Sequence, residues 1–295
     1  MTSEATKTTE KVQVKEKAQP KKMYGRTKAR VQKGLVYGAA VITFAVLLFL
    51  IAYILINGIP NLKLSLFEWT YNSDNVSMMP AIITTVEMTL LALVIAVPLG
   101  LFTAIYLNEY AKRGNKLVNI IRITTETLSG IPSIVYGLFG MLFFVTQLHW
   151  GYSLIAGGMT LAIMILPLIM RTAEEALMAV PDTFREGSFG LGAGRLRTVF
   201  RIVLPSAMPG ILSGIILAVG RIVGETAALI YTASTVAAVP SSVFSSTRTL
   251  AVHMYVLSSE GLHVGEAFGT AVVLLVLVLG INCLSSFIAR KLAKH

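Results

Sequence analysis

The strongest constraint in this chain is a series of long apolar stretches. One of them runs from Ile42 to Ile56 without a charged residue, and a helix needs about 20 mostly apolar residues to cross a bilayer. Composition agrees, because 55% of the residues are apolar and 14% are charged, whereas soluble domains carry about 25% charged residues. We therefore predict an all-α polytopic membrane protein with six transmembrane helices, near residues 35–57, 81–107, 128–148, 151–170, 206–236 and 267–289.

The basic residues predict the orientation of these spans. Of the 25 Lys and Arg residues, 22 fall in segments on one side of the membrane, and Lys63 and Arg248 fall on the other. Because Lys and Arg favour cytoplasmic loops, both the N and the C terminus are predicted to be cytoplasmic. This asymmetry accounts for the net charge of +10, so nucleic acid is excluded as a partner.

The N-terminal segment is strongly basic. Residues 1–34 contain ten Lys and Arg residues and few apolar ones, which predicts a disordered cytoplasmic tail before a membrane domain over 35–295. Contact with anionic lipid is the favoured role of this tail, and a specific partner site is the alternative. The apolar run begins too late for a cleaved secretory signal. The single cysteine, Cys283, lies in an apolar run, so no intrachain disulfide is possible.

The largest cytoplasmic connection, residues 171–205, is patterned as two short helices. Pro181 favours the start of the first helix, which carries Phe184 and Phe189. Gly192 favours a left-handed helix end and a sharp turn, and apolar residues then recur at helical spacing in a second helix. Such a hairpin suits docking into a groove of a partner through its aromatic residues. An amphipathic hairpin lying on the membrane surface is the alternative.

A spaced motif runs through this connection: Glu186-Gly187-Ser188, then Gly192, then, after nine residues, Ile202-Val203-Leu204-Pro205. It resembles the EAA loop of ABC-importer permeases, which reads Glu-Ala-Ala, three residues, Gly, nine residues and Ile-x-Leu-Pro. Gly187 and Ser188 stand for the two alanines, and both are small enough to keep close packing. The resemblance implies the type I ABC importer permease (MetI-like) fold, with this loop coupled to a separate ATPase.

Three further segments narrow the resemblance. Residues 126–140, 166–172 and 221–227 resemble signatures of phosphate permeases of the PstA type, and the likeness extends across all six spans. In that family, charged positions that match Arg171, Arg221 and Glu225 are implicated in moving phosphate. Arg171 would lie at the cytoplasmic mouth, where an ordinary positive-inside anchor is the alternative.

Charges inside the spans are candidate substrate contacts, because burying a charge in the membrane costs at least a few kcal/mol. They are Glu87, Arg221 and Glu225. Arg221 and Glu225 are four residues apart, which predicts one shared helix face and an ion pair. We hypothesise that Arg221 faces Glu87 or Glu225 in the resting pathway, and an ion pair that only orders the bundle is the alternative. A guanidinium in a transport route indicates an anionic substrate.

Small residues on the fifth span predict close helix packing. Gly210 and Gly214 are four apart, as are Gly220 and Gly224, and this spacing lets two helix backbones approach closely. The sequence therefore predicts that Arg221 lies at a seam between helices or subunits.

The resemblance also implies partners: a homologous second permease (PstC-type), two copies of an ATPase (PstB-type) and an extracytoplasmic phosphate-binding protein (PstS-type), in the bacterial inner membrane. This chain has no phosphate-binding Gly-x4-Gly-Lys-Ser/Thr loop, so ATP and Mg²⁺ are expected on the ATPase and no cofactor or metal here. A permease for sulfate or molybdate, or a secondary transporter without an ATPase, remains the alternative. An enzyme is least favoured, and His149, His253 and His263 are interpreted as ordinary polar residues.

Overall fold

A computed structural model describes residues 23–112 and 114–292, and within these ranges every regular element is helical. The α-helices are α1 Met23–Gly58, α2 Met79–Ile105, α3 Lys116–Ser129, α4 Ser133–Gly140, α5 Leu154–Met178, α6 Asp182–Gly190, α7 Arg195–Thr198, α8 Leu204–Val223, α9 Ala227–Ile230, α10 Leu250–Glu260 and α11 Val264–Leu292. Wider π-helical turns extend three of them, at Tyr106–Tyr110 after α2, Met141–Gln147 after α4 and Val199–Val203 between α7 and α8. Two 3₁₀ turns, Ile59–Asn61 and Leu64–Phe67, follow α1.

The predicted number of spans agrees with the described helices. Five are long and apolar enough to cross a membrane: Ala29–Asn61, Met79–Tyr110, Leu154–Met178, Arg195–Val223 and Val264–Phe287. The sixth is a bent pair, Lys116–Ser129 with Ser133–Gln147, whose axes meet at 102°.

The bend corrects the predicted third span. We expected one helix over 128–148, but α3 ends at Ser129 and α4 begins at Ser133. Pro132, in an extended conformation, precedes α4; its missing N–H and its effect on the preceding residue both work against a continuous helix. Gly137 in α4 then packs closely on α9, since an added Cβ would lie 2.7 Å from the Cα of Ala228.

The predicted fourth and fifth spans also change. The fourth runs over Leu154–Met178 rather than 151–170, so the connection to the fifth begins about two turns later than expected. The fifth helix runs over Arg195–Val223 rather than 206–236. After Gly224 the chain forms only the short helix α9 and then non-helical backbone as far as Thr249.

The predicted disordered tail is only partly testable. Its residues 1–22 lie outside the described residues, whereas 23–34 form the beginning of α1 rather than a disordered segment. The chain divides into two compact units between Ala52 and Tyr53. In the first unit, the described residues belong to α1.

The core of the second unit lies where α2, α5 and α8 pack together. Its buried side chains are alanine, leucine, isoleucine and methionine for the most part, including Met88, Ala92, Leu161 and Ile165. Gly100 of α2 faces α5, because an added Cβ would lie 2.9 Å from Ile169 Cγ2. Close packing of this kind holds helices together in lipid, where apolar side chains gain little from leaving water.

Candidate coupling hairpin and membrane charges

The cytoplasmic hairpin, residues 182–203, begins with α6. Pro181 precedes it in extended conformation, with φ −57° and ψ 139°, and Asp182 lies in the first turn, where a carboxylate stabilises the helix dipole. This start, and the placement of Phe184 and Phe189 on one short helix, confirm the sequence prediction.

The hairpin turns at Gly192, as predicted. Its φ is +83°, in the left-handed region that only glycine adopts without strain. The Gly192 N–H donates to the Phe189 carbonyl at 2.9 Å, and the Ala193 N–H donates to the Ser188 carbonyl at 3.1 Å. These bonds close the end of α6 and direct the chain into the second arm.

The two arms are joined by one buried side-chain hydrogen bond. The hydroxyls of Ser188 and Thr198 lie 2.8 Å apart, and both residues are buried. Ser188 therefore packs as its small size predicted. Gly187 does not, because nothing lies within 4 Å of an added Cβ there; the expectation of close packing at Gly187 was wrong, since its face of α6 is exposed.

Arg185 anchors the base of the hairpin. Its Nη2 lies 2.7 Å from Glu109 Oε1, and it donates to the carbonyls of Val180 at 2.8 Å and Leu177 at 3.0 Å. The hydrogen bond that Arg185 donates to Glu109 raises the pKa of Arg185 above its usual value. Sequence reasoning missed this pair because 76 residues separate its members. The one local signal was an arginine four residues after Pro181, inside the predicted helix.

Three large apolar side chains of the hairpin are exposed. Phe184 is 48% exposed, Phe189 46% and Leu191 92%, and Glu186 is also exposed. The opposite side is buried, with Val199 and Val203 packed among residues of α5. Large apolar side chains exposed together in one short segment indicate a surface that another molecule or the lipid covers.

The second arm continues into the membrane without a break. Ile202 lies in the widened turn Val199–Val203, and Leu204 and Pro205 begin α8. Pro205 therefore lies inside this continuous helix, where proline removes one backbone hydrogen bond, and the widened turn Val199–Val203 comes directly before α8. The continuous helix Arg195–Val223 has 29 residues, or about 43 Å at 1.5 Å per residue.

Arg221 lies near the far end of this helix. It lines a cavity of about 580 Å³ together with Ser213, Gly220 and Asn282. Asn282 belongs to α11, and its Oδ1 is buried without a hydrogen-bond partner among the described residues. Sequence reasoning missed Ser213 and Asn282, because polar residues without charge give no signal above the apolar background.

Glu225 does not share a helix with Arg221, which corrects the predicted pairing. The helix ends at Val223 and Gly224 caps it. Glu225 then accepts a hydrogen bond from the Ala228 N–H at 3.0 Å, so this buried carboxylate caps α9. No ion pair joins Arg221 and Glu225 in the described parts of the chain.

Glu87 and Arg171, the remaining candidate charges, lie in different environments. Glu87 lies in α2, and its Oε2 is buried without a hydrogen bond among the residues described here. Contact of Glu87 with Arg221, which we hypothesised, does not occur in this conformation within the described ranges. Arg171 lies inside α5 rather than in a loop and pairs with Glu175 at 3.0 Å, with both side chains more than half exposed.

The glycine pairs of the fifth span behave differently from each other. An added Cβ at Gly210 would lie 2.7 Å from Ala176 Cβ, and one at Gly214 would overlap Thr172, so α8 approaches α5 closely as predicted. At Gly220 nothing lies within 4 Å, and the second pair makes no close approach within the described chain. Gly220 instead opens into the cavity beside Arg221.

These membrane-spanning helices, with a hairpin that continues into a helix ending beside a cavity, have the architecture expected of a transport permease. The chain belongs to the family of binding-protein-dependent transport system inner membrane components, whose model matches residues 96–295.

Two relatives support this membership. The chain is 34% identical over 274 residues to the probable ABC transporter permease protein YqgI of Bacillus subtilis, covering 86% of this chain and 92% of YqgI. It is 37% identical over 200 residues to the phosphate transport system permease protein PstA 1 of Mycobacterium tuberculosis, covering 67% of this chain and 65% of that protein.

Solved structures share the fold. The bacterial alginate ABC transporter matches with a TM-score of 0.64 and 15% identity, over 90% of this chain and 98% of that one. An inward-facing MetNI methionine ABC transporter matches with a TM-score of 0.57 and 20% identity, over 73% and 94%. The predicted MetI-like permease fold is confirmed.

Proposed function

We propose that this chain is the PstA-type permease subunit of an ATP-driven inorganic phosphate importer and forms half of its translocation pathway. The observation that carries the proposal is the continuous helix Arg195–Val223. Its cytoplasmic end belongs to a hairpin with an exposed aromatic face, and its other end places a guanidinium in a membrane cavity. Phosphate is the proposed substrate because phosphate transport permeases are among the relatives.

The hairpin would transmit the motion of a partner ATPase. Phe184 and Phe189 offer anchors of the kind that dominate protein contacts, and exposed Glu186 lies between them. The ion pair of Arg185 with Glu109 and the hydrogen bond between the Ser188 and Thr198 hydroxyls fix the hairpin's shape. A force on the hairpin then moves α8 as one body rather than bending the loop.

The cavity beside Arg221 is where phosphate would pass. A guanidinium presents a planar fork of donors that matches two oxygens of an oxyanion. The Ser213 hydroxyl and the Asn282 amide line the same cavity and add weaker contacts. A pathway must bind its ion weakly enough to release it, and one cation with neutral neighbours fits that need.

The proposal includes partners and location. ATP and Mg²⁺ would be bound by two ATPase copies, so this chain would be non-catalytic and hold no cofactor. A PstC-type permease would close the open side of the Arg221 cavity, and an extracytoplasmic PstS-type protein would deliver phosphate. The assembly would lie in the bacterial inner membrane, with Glu87, Arg171 and Glu225 as further candidate pathway charges.

Reconstitution tests the function directly. The assembly is purified from native membrane, its chains are identified, and uptake of labelled phosphate is measured in proteoliposomes with and without enclosed ATP. Uptake is expected only with ATP and the binding protein. Uptake without ATP would favour a secondary transporter, and faster uptake of sulfate or molybdate would favour another oxyanion permease.

A paired variant tests the hairpin's role. Phe184→Ala together with Phe189→Ala should release the ATPase during purification and abolish uptake, because these side chains are the exposed anchors. Leu262→Ala is the matched control, since it truncates an 82% exposed apolar side chain at the opposite ends of the spans. If the ATPase stays bound to the double variant, the hairpin is not the docking site.

A further inference from the structure

A second cation is buried on the side predicted to be extracytoplasmic. Arg248 is 4% exposed and His253, on α10, is fully buried. The Tyr71 ring centroid lies 4.7 Å from Arg248 Cζ, and the Tyr71 and His253 ring centroids are 6.1 Å apart. Tyr71, Arg248, Thr249 and His253 are called the outer cluster below.

The polar atoms of the outer cluster lack partners. Arg248 Nη1 donates to the Thr235 carbonyl at 3.0 Å, but Nε and Nη2 are buried and unpaired. The Thr249 hydroxyl and both His253 ring nitrogens are also buried and unpaired. The nearest polar groups are neutral: the Tyr71 hydroxyl lies beside Arg248 and the Val76 carbonyl beside His253, and each favours the charged form of its neighbour. Of the seven such atoms in the described chain, five belong to this cluster.

The two unpaired nitrogens of Arg248 lie on one side of the guanidinium. Nε–H and Nη2–H point in the same direction and make the side-on fork that binds two oxygens of a carboxylate or phosphate. No carboxylate lies within 4.0 Å of this guanidinium among the described residues. Of the groups that act on Arg248 electrostatically, Glu260 has the smallest effect. A buried cation without a contacting anion is costly, and water could fill the hydrogen bonds but not supply the charge.

His253 adds an acceptor. Burial, together with the charge of Arg248, lowers its pKa to about 3, so the ring is neutral at physiological pH. A neutral imidazole has one N–H donor and one bare acceptor nitrogen. It can therefore accept a hydrogen bond from a protonated oxyanion such as hydrogen phosphate, whereas sulfate carries no such proton at neutral pH.

The backbone around the cluster is strained. Among non-glycine residues of the described chain, φ is positive only at Val76, His149 and Ser234. Val76 has φ 39° and lies beside His253, and Ser234 has φ 101° and precedes the carbonyl acceptor of Arg248. Strain of this kind concentrates at binding and switch sites, and here it lies in the two segments that cover the cluster.

We propose that the outer cluster is a receiving site for one inorganic oxyanion, with Arg248 holding two oxygens and His253 accepting the proton of phosphate. The identity of the anion depends on the proposed function. The site is covered in this conformation, so phosphate enters when the segments that carry Val76 and Ser234 move apart. Phosphate would pass from there to Arg221.

Binding without transport gives the first test. The purified assembly carrying Arg221→Gln, which removes the cation from the Arg221 cavity, is dialysed without the binding protein against labelled inorganic phosphate, with or without excess unlabelled sulfate. We expect phosphate to bind and unlabelled sulfate to compete poorly. Absence of bound phosphate would overturn the proposal and leave internal water as the occupant of the cluster, even where the wild-type assembly transports phosphate.

Uptake gives the second test. Arg248→Lys keeps the charge but removes the fork, so phosphate moved per ATP hydrolysed should fall about tenfold, the effect of losing a charge-assisted hydrogen bond. Lys63→Gln, which removes an exposed cation from the same side, should leave this ratio unchanged. An unchanged ratio in Arg248→Lys would overturn the receiving site, whereas failure of the wild-type assembly to transport phosphate would overturn the proposed function instead.

Discussion

At the scale of single residues, two glycines of the hairpin have opposite requirements. Gly187 lies inside α6 with open space around it, whereas Gly192 has φ +83°. Gly187→Ala should stabilise the assembly by about 0.5–1 kcal/mol, because glycine loses more backbone entropy in a helix than alanine does. Gly192→Ala should destabilise it by about 1–2 kcal/mol, the cost of a left-handed conformation for an L-residue.

The midpoint of thermal unfolding of the purified assembly measures both effects. The two variants add the same methyl group, and neither added Cβ meets a neighbour within 4 Å, so they control for each other. Equal shifts in one direction would show that backbone conformation does not decide the outcome.

Single-residue predictions succeeded where the signal was local. Gly192 was identified as the turn because only glycine adopts its φ without strain. The pairing of Arg221 with Glu225 failed because spacing alone does not show where a helix ends; Gly224 ends this one. The outer cluster was missed entirely, since Arg248 and His253 come together with Tyr71 only through tertiary packing.

At the scale of elements, the pair of Arg185 and Glu109 joins the hairpin to the end of α2. Both side chains are largely buried, at 14% and 7% exposure. Glu109→Gln should cost about 1.5–3 kcal/mol, the range for hydrogen bonds to charged groups. ATP hydrolysis should continue while phosphate uptake falls, because the hairpin would move without α2.

Asp182→Asn is the control for that variant, because it removes the exposed partner of the same arginine, at 73% exposure. An exposed ion pair contributes less than about 1 kcal/mol, so uptake should be nearly normal. Exchanging the charges at 109 and 185 should not restore uptake, since a glutamate at 185 cannot donate to the Val180 and Leu177 carbonyls. Recovery in the exchanged variant would contradict the anchoring role.

Element boundaries were predicted best where proline or glycine marks them. Pro181 placed the start of α6 correctly. Pro132 was read as tolerated within the third span, yet the chain bends by 102° there. Hydropathy reports apolar length and not direction, so two helices joined by a bend resemble one span in sequence.

At the scale of the whole molecule, the proposed phosphate pathway at the Arg221 cavity and the proposed coupling hairpin lie at different ends of one helix. Gly220 lines that cavity and has no neighbour within 4 Å of an added Cβ, so a larger side chain fits without disturbing the described chain. The hairpin lies at the other end of the same helix. Filling the cavity therefore tests the pathway alone.

Gly220→Leu should abolish phosphate uptake while the ATPase remains bound, because the leucine side chain occupies space beside the guanidinium. Gly280→Leu makes the same change at an exposed glycine of α11 that also has no neighbour within 4 Å, and uptake there should be normal. Uptake and the subunit composition of each purified assembly are measured together. Full uptake by Gly220→Leu would place the route of phosphate away from Arg221, even if the hairpin still couples the chain to its ATPase.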